Sequence, residues 1–187
     1  MKLNIYLFRH GEIASRKNIL CGWVNLPLSR KGLNDSKKLS EKLRVERIDV
    51  AFCSDLLRSQ QNLVEVLKYH PDAKVIIDPR LRERHFGALS GELKSIFADT
   101  SVLQTFNGRF VEGVPGLESM ETIQKRIFPF MSDVLKLMQE ERVNVAISAH
   151  TESSRFIQEY LEGITPDMSE LLKKKSTEYK KYVLNFD

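Results

Sequence analysis

Leu3-Asn4-Ile5-Tyr6-Leu7-Phe8-Arg9-His10-Gly11-Glu12 is the stretch from which the fold is read. Leu3, Ile5, Tyr6, Leu7 and Phe8 form an apolar run of strand length, and a run this dense reads as a buried first strand. The Arg-His-Gly triplet then falls at its carboxyl end, the edge at which open α/β sheets form ligand crevices. Neutral imidazole is a nucleophile at physiological pH. A fixed cation beside it attracts a phosphate and stabilises the charge that develops on transfer, so the triplet points to phosphoryl chemistry. A lone histidine is more often a structural donor, so the rest of the chain must supply the remaining groups.

Outward from this stretch, strand-like and helix-like segments alternate, the pattern of a mostly parallel sheet covered by helices on both faces. After a polar loop, Pro27, Ser29 and Gly32 open an amphipathic helix carrying Leu33, Leu39 and Leu43. Ile48 to Cys53 reads as a second strand. Ser54 and Asp55 are helix-starting residues, and Leu56, Leu57, Leu63, Val64 and Leu67 are the expected buried stripe of the next helix. Val75 to Ile77 reads as a third strand stopped by Pro79. Residues 80 to 91 and 105 to 118, rich in glycine, read as loops flanking a short helix. Ser119 to Glu141 reads as a long helix that Pro129 should kink or split. Val143 to Ser148 is the fourth strand, Thr151 or Ser153 caps a helix ending at Gly163, and Tyr182 to Phe186 suits a final strand.

At 187 residues, the chain is expected to form one domain, residues 1 to 187, with an interior large enough for a sheet covered on both faces. No tract approaches the run of about 18 apolar residues that spans a membrane, and the N-terminal run is broken by Arg9 and His10, so a cytoplasmic protein without a membrane partner is expected. Cys21 and Cys53 form no C-x-x-C pair and read as reduced thiols. The formal net charge is +4. Lys173, Lys174, Lys175, Lys180 and Lys181 lack interleaved aromatics or a binding motif, so they read as a solvated face and no nucleic-acid partner is expected. The positive balance suits a small phosphorylated metabolite.

His10 and His150 both directly follow predicted strands, and parallel strands deliver their carboxyl ends to one edge. Arg58, at the start of the helix after the second strand, and Glu83, after the third, reach the same edge. Phosphoryl transfer needs such a set: a neutral His as nucleophile, fixed positive charge for the oxygens, and an acid for the leaving alkoxide. Glu83 is the candidate acid on condition that burial favours its protonated form, which Arg82 and Arg84 oppose if they turn inward. No H-x-x-x-H spacing or carboxylate cluster calls for a metal, and no G-x-x-x-x-G-K loop supports nucleotide binding.

Taken in order, Arg9-His10-Gly11-Glu12, Gly22-Trp23-Val24, Pro27-Leu28-Ser29, Ser54-Asp55-Leu56-Leu57-Arg58-Ser59, Glu83-Arg84-His85-Phe86-Gly87, Pro115-Gly116, Glu118-Ser119, Ala149-His150 and Leu161-Glu162-Gly163 span nearly the whole chain. In this the chain resembles the histidine phosphatase superfamily, specifically its cofactor-dependent phosphoglycerate mutase branch. The resemblance implies a three-layer α/β/α sandwich and a phosphohistidine formed on His10. It further implies that Arg9, Arg58 and His150 hold the phosphate oxygens while Glu83 protonates the leaving group and activates the acceptor. Water as acceptor makes a phosphatase, with no cofactor required. A hydroxyl of a retained substrate makes a mutase, which in the family is primed by 2,3-bisphosphoglycerate. The mutase branch includes oligomers, which leaves a homo-oligomer open.

The departures concern the acceptor. The mutase branch carries an insertion with paired arginines that grip the substrate carboxylate, whereas this chain has a short loop with Arg109. Lys94 does match a mutase substrate-binding lysine. The loop after the nucleophile is shorter than in the family, with Arg16 or Asn18 where the family has Asn, and Gly22 also belongs to the expected substrate surroundings. Thr151 and Glu152 follow His150 where the family has Gly then Gly or Asn, and Phe86 replaces a tyrosine. The expectation is a metal-independent phosphohydrolase acting on a small phosphomonoester, with phosphoglycerate mutase as the alternative. A weakened relative that binds phosphorylated ligands as a regulator is a third reading, resting on the His150-Thr151-Glu152 segment.

Overall fold

A computed structural model of the chain describes residues 1–15, 18–93, 95, 114–164 and 175–186. Among the described residues five strands form one sheet: β1 (Lys2–Arg9), β2 (Val50–Cys53), β3 (Lys74–Ile77), β4 (Val145–Ala149) and β5 (Tyr179–Asn185), in the order β3-β2-β4-β1-β5. The first four are parallel, and β5 runs antiparallel beside β1. The α-helices among the described residues are α1 (Arg30–Leu43), α2 (Leu57–Val66), α3 (Met120–Glu141) and α4 (Thr151–Glu162). This is the α/β/α sandwich with a mostly parallel sheet that the alternation predicts.

The pleat of β1 divides the core. Leu3, Ile5 and Leu7 pack with Val145, Ile147 and the α3 stripe Ile123, Ile127, Phe130, Met131, Val134 and Met138. Tyr6 and Phe8 face the other way, onto Leu39 and Leu43 of α1 and Leu63 and Val66 of α2. Strands β2 and β4 are buried along their full length, as expected of central parallel strands covered on both faces. β3 is an edge strand, with Val75 51% and Ile77 50% exposed.

Three local readings are corrected. The buried face of α2 is Arg58, Ser59, Asn62, Leu63 and Val66, while Leu57 is exposed and Val64 is 73% exposed. The polar stripe packs on Ser36 and Ser148, where hydrogen bonds replace apolar contact. Second, α2 begins after Leu56 with no cap from its own residues; its first amide, Leu57 N–H, donates to Asn25 Oδ1 at 2.7 Å, from a different loop. Third, Pro129 does not split α3, which continues through it from Met120 to Glu141. The carbonyl that Pro129 leaves without its amide partner belongs to Lys125, and both residues are exposed, so water can take that bond.

The starts of α1 and α3 and the end of α4 are as read: Ser29 accepts from Gly32 N–H, Ser119 from Thr122 N–H, and Gly163 ends α4 with φ +70°. The N-cap of α4, expected at Thr151 or Ser153, is instead His150, whose backbone is still extended and whose N–H donates to Ser153 Oγ at 2.9 Å. Neither Cys21 nor Cys53 is in a disulfide. Lys180 pairs with Glu162, and Lys181 with Glu46 at 2.8 Å, so the β5 lysines engage carboxylates of this chain. Among the described residues no helix is long and apolar enough to cross a membrane.

Candidate active site

The parallel ladder pairs Arg9 at the end of β1 with Ala149 at the end of β4. The next residues, His10 and His150, therefore leave the sheet side by side. Their rings stand 4.9 Å apart with planes at 65°. His10 Nδ1 lies 2.8 Å from the Gly11 carbonyl oxygen. A carbonyl only accepts, so Nδ1 carries the proton and Nε2 keeps its lone pair. Burial, with Arg58 and Arg9 nearby, pushes the His10 imidazole down to about 3, against the opposing bond to Gly11. The ring is thus neutral across the physiological range.

Arg58 is 1% exposed. Its Nε donates to His10 Nε2 at 3.2 Å, Nη1 to the Val24 carbonyl at 3.0 Å and Nη2 to the Gly22 carbonyl at 2.5 Å. The guanidinium is held by backbone carbonyls, and among the described residues no carboxylate is hydrogen-bonded to it. Its positive charge is therefore left for a ligand. Gly22 makes this possible: its φ is +46°, and a Cβ there would lie 2.9 Å from Phe86 Cδ2 and 3.0 Å from the Arg84 carbonyl.

His150 is fully buried and shares a 2.7 Å hydrogen bond between Nε2 and Ser54 Oγ. Burial, followed by the His10 side chain, Arg58 and Arg126, holds it well below the usual histidine range. Arg9 Nη1 donates to Thr151 Oγ1 at 3.1 Å.

Glu83 closes the ring of groups. Its Oε2 accepts Thr151 N–H at 2.9 Å; its Oε1 accepts Glu152 N–H at 3.0 Å and Arg84 N–H at 2.9 Å. The first two donors are the opening amides of α4, whose orphan N–H groups suit a carboxylate. These bonds fix the carboxyl plane, and Oε2, with one amide donor, retains a lone pair for a proton. The flanking arginines are engaged elsewhere. Arg82 forks onto Asp55 and stacks 4.4 Å over the Trp23 ring, and Arg84, fully buried, donates to the Glu118 carbonyl at 2.7 Å. Behind them, Trp23 Nε1 and Arg126 Nη2 donate to the Glu83 carbonyl at 2.7 and 3.2 Å.

A lone pair on a neutral imidazole, two guanidinium groups, a second histidine and a fixed carboxyl thus meet at one sheet edge. That set can accept a phosphoryl group, hold its oxygens and move a proton. A family model described as the histidine phosphatase superfamily (branch 1) matches residues 5–185. The chain belongs to the histidine phosphatase superfamily. Within it, the chain is similar to the 2,3-bisphosphoglycerate-dependent phosphoglycerate mutase of Methanosarcina mazei, at 28% identity over 87% of this chain and 82% of the relative. A protein of Gloeobacter violaceus, 2,3-bisphosphoglycerate-dependent phosphoglycerate mutase 2, is 32% identical over 89% of this chain and 78% of its own length. A solved structure called mycobacterial hydrolase 1 shares the superfamily fold with a TM-score of 0.79 at 20% identity, covering 96% of this chain and 88% of that one.

Of the residues singled out from the sequence, Arg9, His10, Arg58, Glu83, His150 and Thr151 are brought together. Gly22 lines the site through its carbonyl. Asn18 is exposed, next to the short bridge of Ile19 with Leu93. Arg16, Lys94 and Arg109 lie outside the described residues. Sequence reasoning missed Ser54, read only as a helix starter, although a small polar residue directly after a wholly buried strand was a signal. It also missed Arg126 and the Gly11 and Val24 carbonyls, the latter two being groups that every residue carries. Among the described residues no group of three or more His, Cys, Asp or Glu could hold a metal ion.

Proposed function

We propose that the protein is a phosphohydrolase that cleaves a small phosphomonoester through a phosphohistidine on His10. The observation that carries this reading is the Gly11 carbonyl 2.8 Å from His10 Nδ1, which leaves Nε2 as a neutral nucleophile beside Arg58. Nε2 attacks phosphorus as the bond to the leaving oxygen breaks, and Glu83 supplies the proton that oxygen takes up. Arg9, Arg58 and His150 hold the phosphoryl oxygens, whose negative charge builds in the transition state. Glu83, now a carboxylate, then takes a proton from water as the water oxygen attacks phosphorus and the P–N bond breaks. Phosphate leaves, and His10 and Glu83 return to their starting states. No metal or cofactor takes part in this scheme, so turnover should survive a chelator such as EDTA.

The mutase reading has one observation in its favour: the relatives described above are named as phosphoglycerate mutases. Hydrolysis is favoured because residues 92 to 116, where the mutase branch carries its paired arginines, contain only Lys94 and Arg109 as basic residues. A substrate that is not gripped departs after transfer, and water takes the phosphoryl group.

Product analysis separates the two. Wild type and His10→Ala are given 3-phosphoglycerate with and without catalytic 2,3-bisphosphoglycerate, and separately a panel of phosphomonoesters. Free phosphate from some ester, absent in His10→Ala, supports the hydrolase. Rapid primer-dependent 2-phosphoglycerate without matching phosphate would replace it with the mutase.

A further inference from the structure

A cavity of about 390 Å³ lies between α4, the end of β1 and the start of β5. Its volume is that of a small-molecule site. Arg9 and Thr151 line it, and both also belong to the reacting edge: Arg9 precedes His10, and Thr151 N–H holds Glu83 Oε2 at 2.9 Å. The α4 wall of the cavity is polar where a buried helix face is ordinarily apolar. Thr151, Ser154 and Gln158 follow one another along it at helical spacing, while Phe156 and Ile157 pack into the core.

Ser154 is 7% exposed. Its hydroxyl has no hydrogen-bond partner among the described residues; Gln158 Nε2 reaches its carbonyl oxygen instead, at 3.2 Å. Thr151 Oγ1 accepts from Arg9 Nη1 at 3.1 Å, and its own proton goes to no acceptor among the described residues. A buried hydroxyl without a partner is costly, and such groups persist where they serve a site. From the strand side, buried Leu7 supplies an apolar wall. The charges at the margin offset one another: Lys180 is paired with Glu162 and with Gln158 Oε1, and the exposed Lys175 and Glu178 are of opposite sign.

We propose that this cavity is the subsite for the organic part of the phosphomonoester, and that it takes an uncharged, hydroxyl-bearing group such as a sugar. Hydroxyls of that group engage Thr151 and Ser154, and its carbon face lies on Leu7. The inference rests on the hydrolase reading and names the kind of ester it acts on. The phosphoryl group stays with His10, Arg58 and Arg9, the ester oxygen faces Glu83, and the group that oxygen carries passes Thr151 into the cavity.

Glucose 6-phosphate and methyl phosphate test this, since they share the phosphoryl group and differ in the body attached to it. Ser154→Leu fills the cavity, and kcat/KM for glucose 6-phosphate is expected to fall about tenfold or more. Ser154→Ala removes one hydrogen-bonding group and should cost about fivefold. Methyl phosphate should stay within about twofold of wild type in both variants, because a merely structural defect would slow the two esters alike. Equal losses for the two esters, or no loss for either, overturn the proposal. A second readout needs no turnover and stands if Ser154→Leu does not fold. In His10→Ala, the backbone amide NMR signals of Ser154 and Gln158 should shift on addition of glucose 6-phosphate and stay in place with methyl phosphate. Signals unmoved by glucose 6-phosphate overturn the proposal. Signals that move, in a protein whose wild type releases phosphate from no ester, leave the subsite standing and refute the hydrolase reading alone.

Discussion

Arg58 Nε donates to His10 Nε2 at 3.2 Å while its two terminal nitrogens are held by the carbonyls of Gly22 and Val24. The nucleophile and its cation are thus in contact before any phosphate arrives, and as Nε2 turns its lone pair to phosphorus the Arg58 N–H it releases is already in place for a phosphoryl oxygen.

Arg58→Ala removes that fixed, buried charge from beside the nucleophile, and kcat is expected to fall about 100- to 1,000-fold. Arg58→Lys should recover little, because an ammonium cannot reach three acceptors in one plane. Steady-state rates together with trapping of the phosphoenzyme check this; a phosphoenzyme formed at the wild-type rate in Arg58→Ala would contradict it.

Glu83→Gln keeps the shape of the side chain but withdraws its proton transfer. Turnover of an alkyl phosphate, whose leaving oxygen needs protonation, should drop about 100-fold or more, with a much smaller loss for p-nitrophenyl phosphate. Equal losses for both esters would argue that Glu83 serves another purpose.

Acid stability follows from the histidines. His10 and His150 have folded-state values below the ordinary 6.5, that of His10 at about 3. Unfolded chains therefore bind protons at both positions as pH falls below 6.5, while the folded protein keeps His10 neutral down to about 3 and His150 neutral well below the ordinary value. The stability these neutral rings contribute is complete above pH 6.5 and is lost as pH falls through that window. The urea midpoint should decline from pH 7 to pH 5, and more gently in His10→Gln. An equal decline in both proteins would count against the assignment.

Gly22→Ala tests the cradle of Arg58. An alanine at φ +46° carries backbone strain, and its Cβ would press on Phe86 and the Arg84 carbonyl. A loss of about 1–3 kcal/mol is expected from the strained conformation alone. Thermal unfolding measures that loss, and the phosphoenzyme yield at a temperature where the variant is folded measures the displacement of Arg58.

Both strand ends that carry histidine were legible from the sequence because a central parallel strand is buried on both faces and reads as an unbroken apolar run. The helix face of Arg58 was not. Leu57 and Val64 look like core residues and are exposed, whereas Arg58, Ser59 and Asn62 look like surface and are buried. Carbonyls of Gly22 and Val24 and a serine network select that face, and none of these has a hydropathy signature. The setting of Glu83 was equally hidden, since two of the donors to its carboxylate are backbone amides of a helix 68 and 69 residues onward. Asn25 capping α2 from outside belongs to the same class: a long-range bond standing where a local rule expects a neighbour.

The strand order places β1 between β4 and β5. Both neighbours are synthesised after it, so the segment bearing His10 leaves the ribosome early and must wait, unpaired, for nearly the whole chain. Until Ser148 and Ala149 dock beside Phe8 and Arg9, His150 and the amides that grip Glu83 are nowhere near the nucleophile. A chain that stops before β4 accordingly lacks the assembled set of groups, and the site comes into being only as the sheet closes.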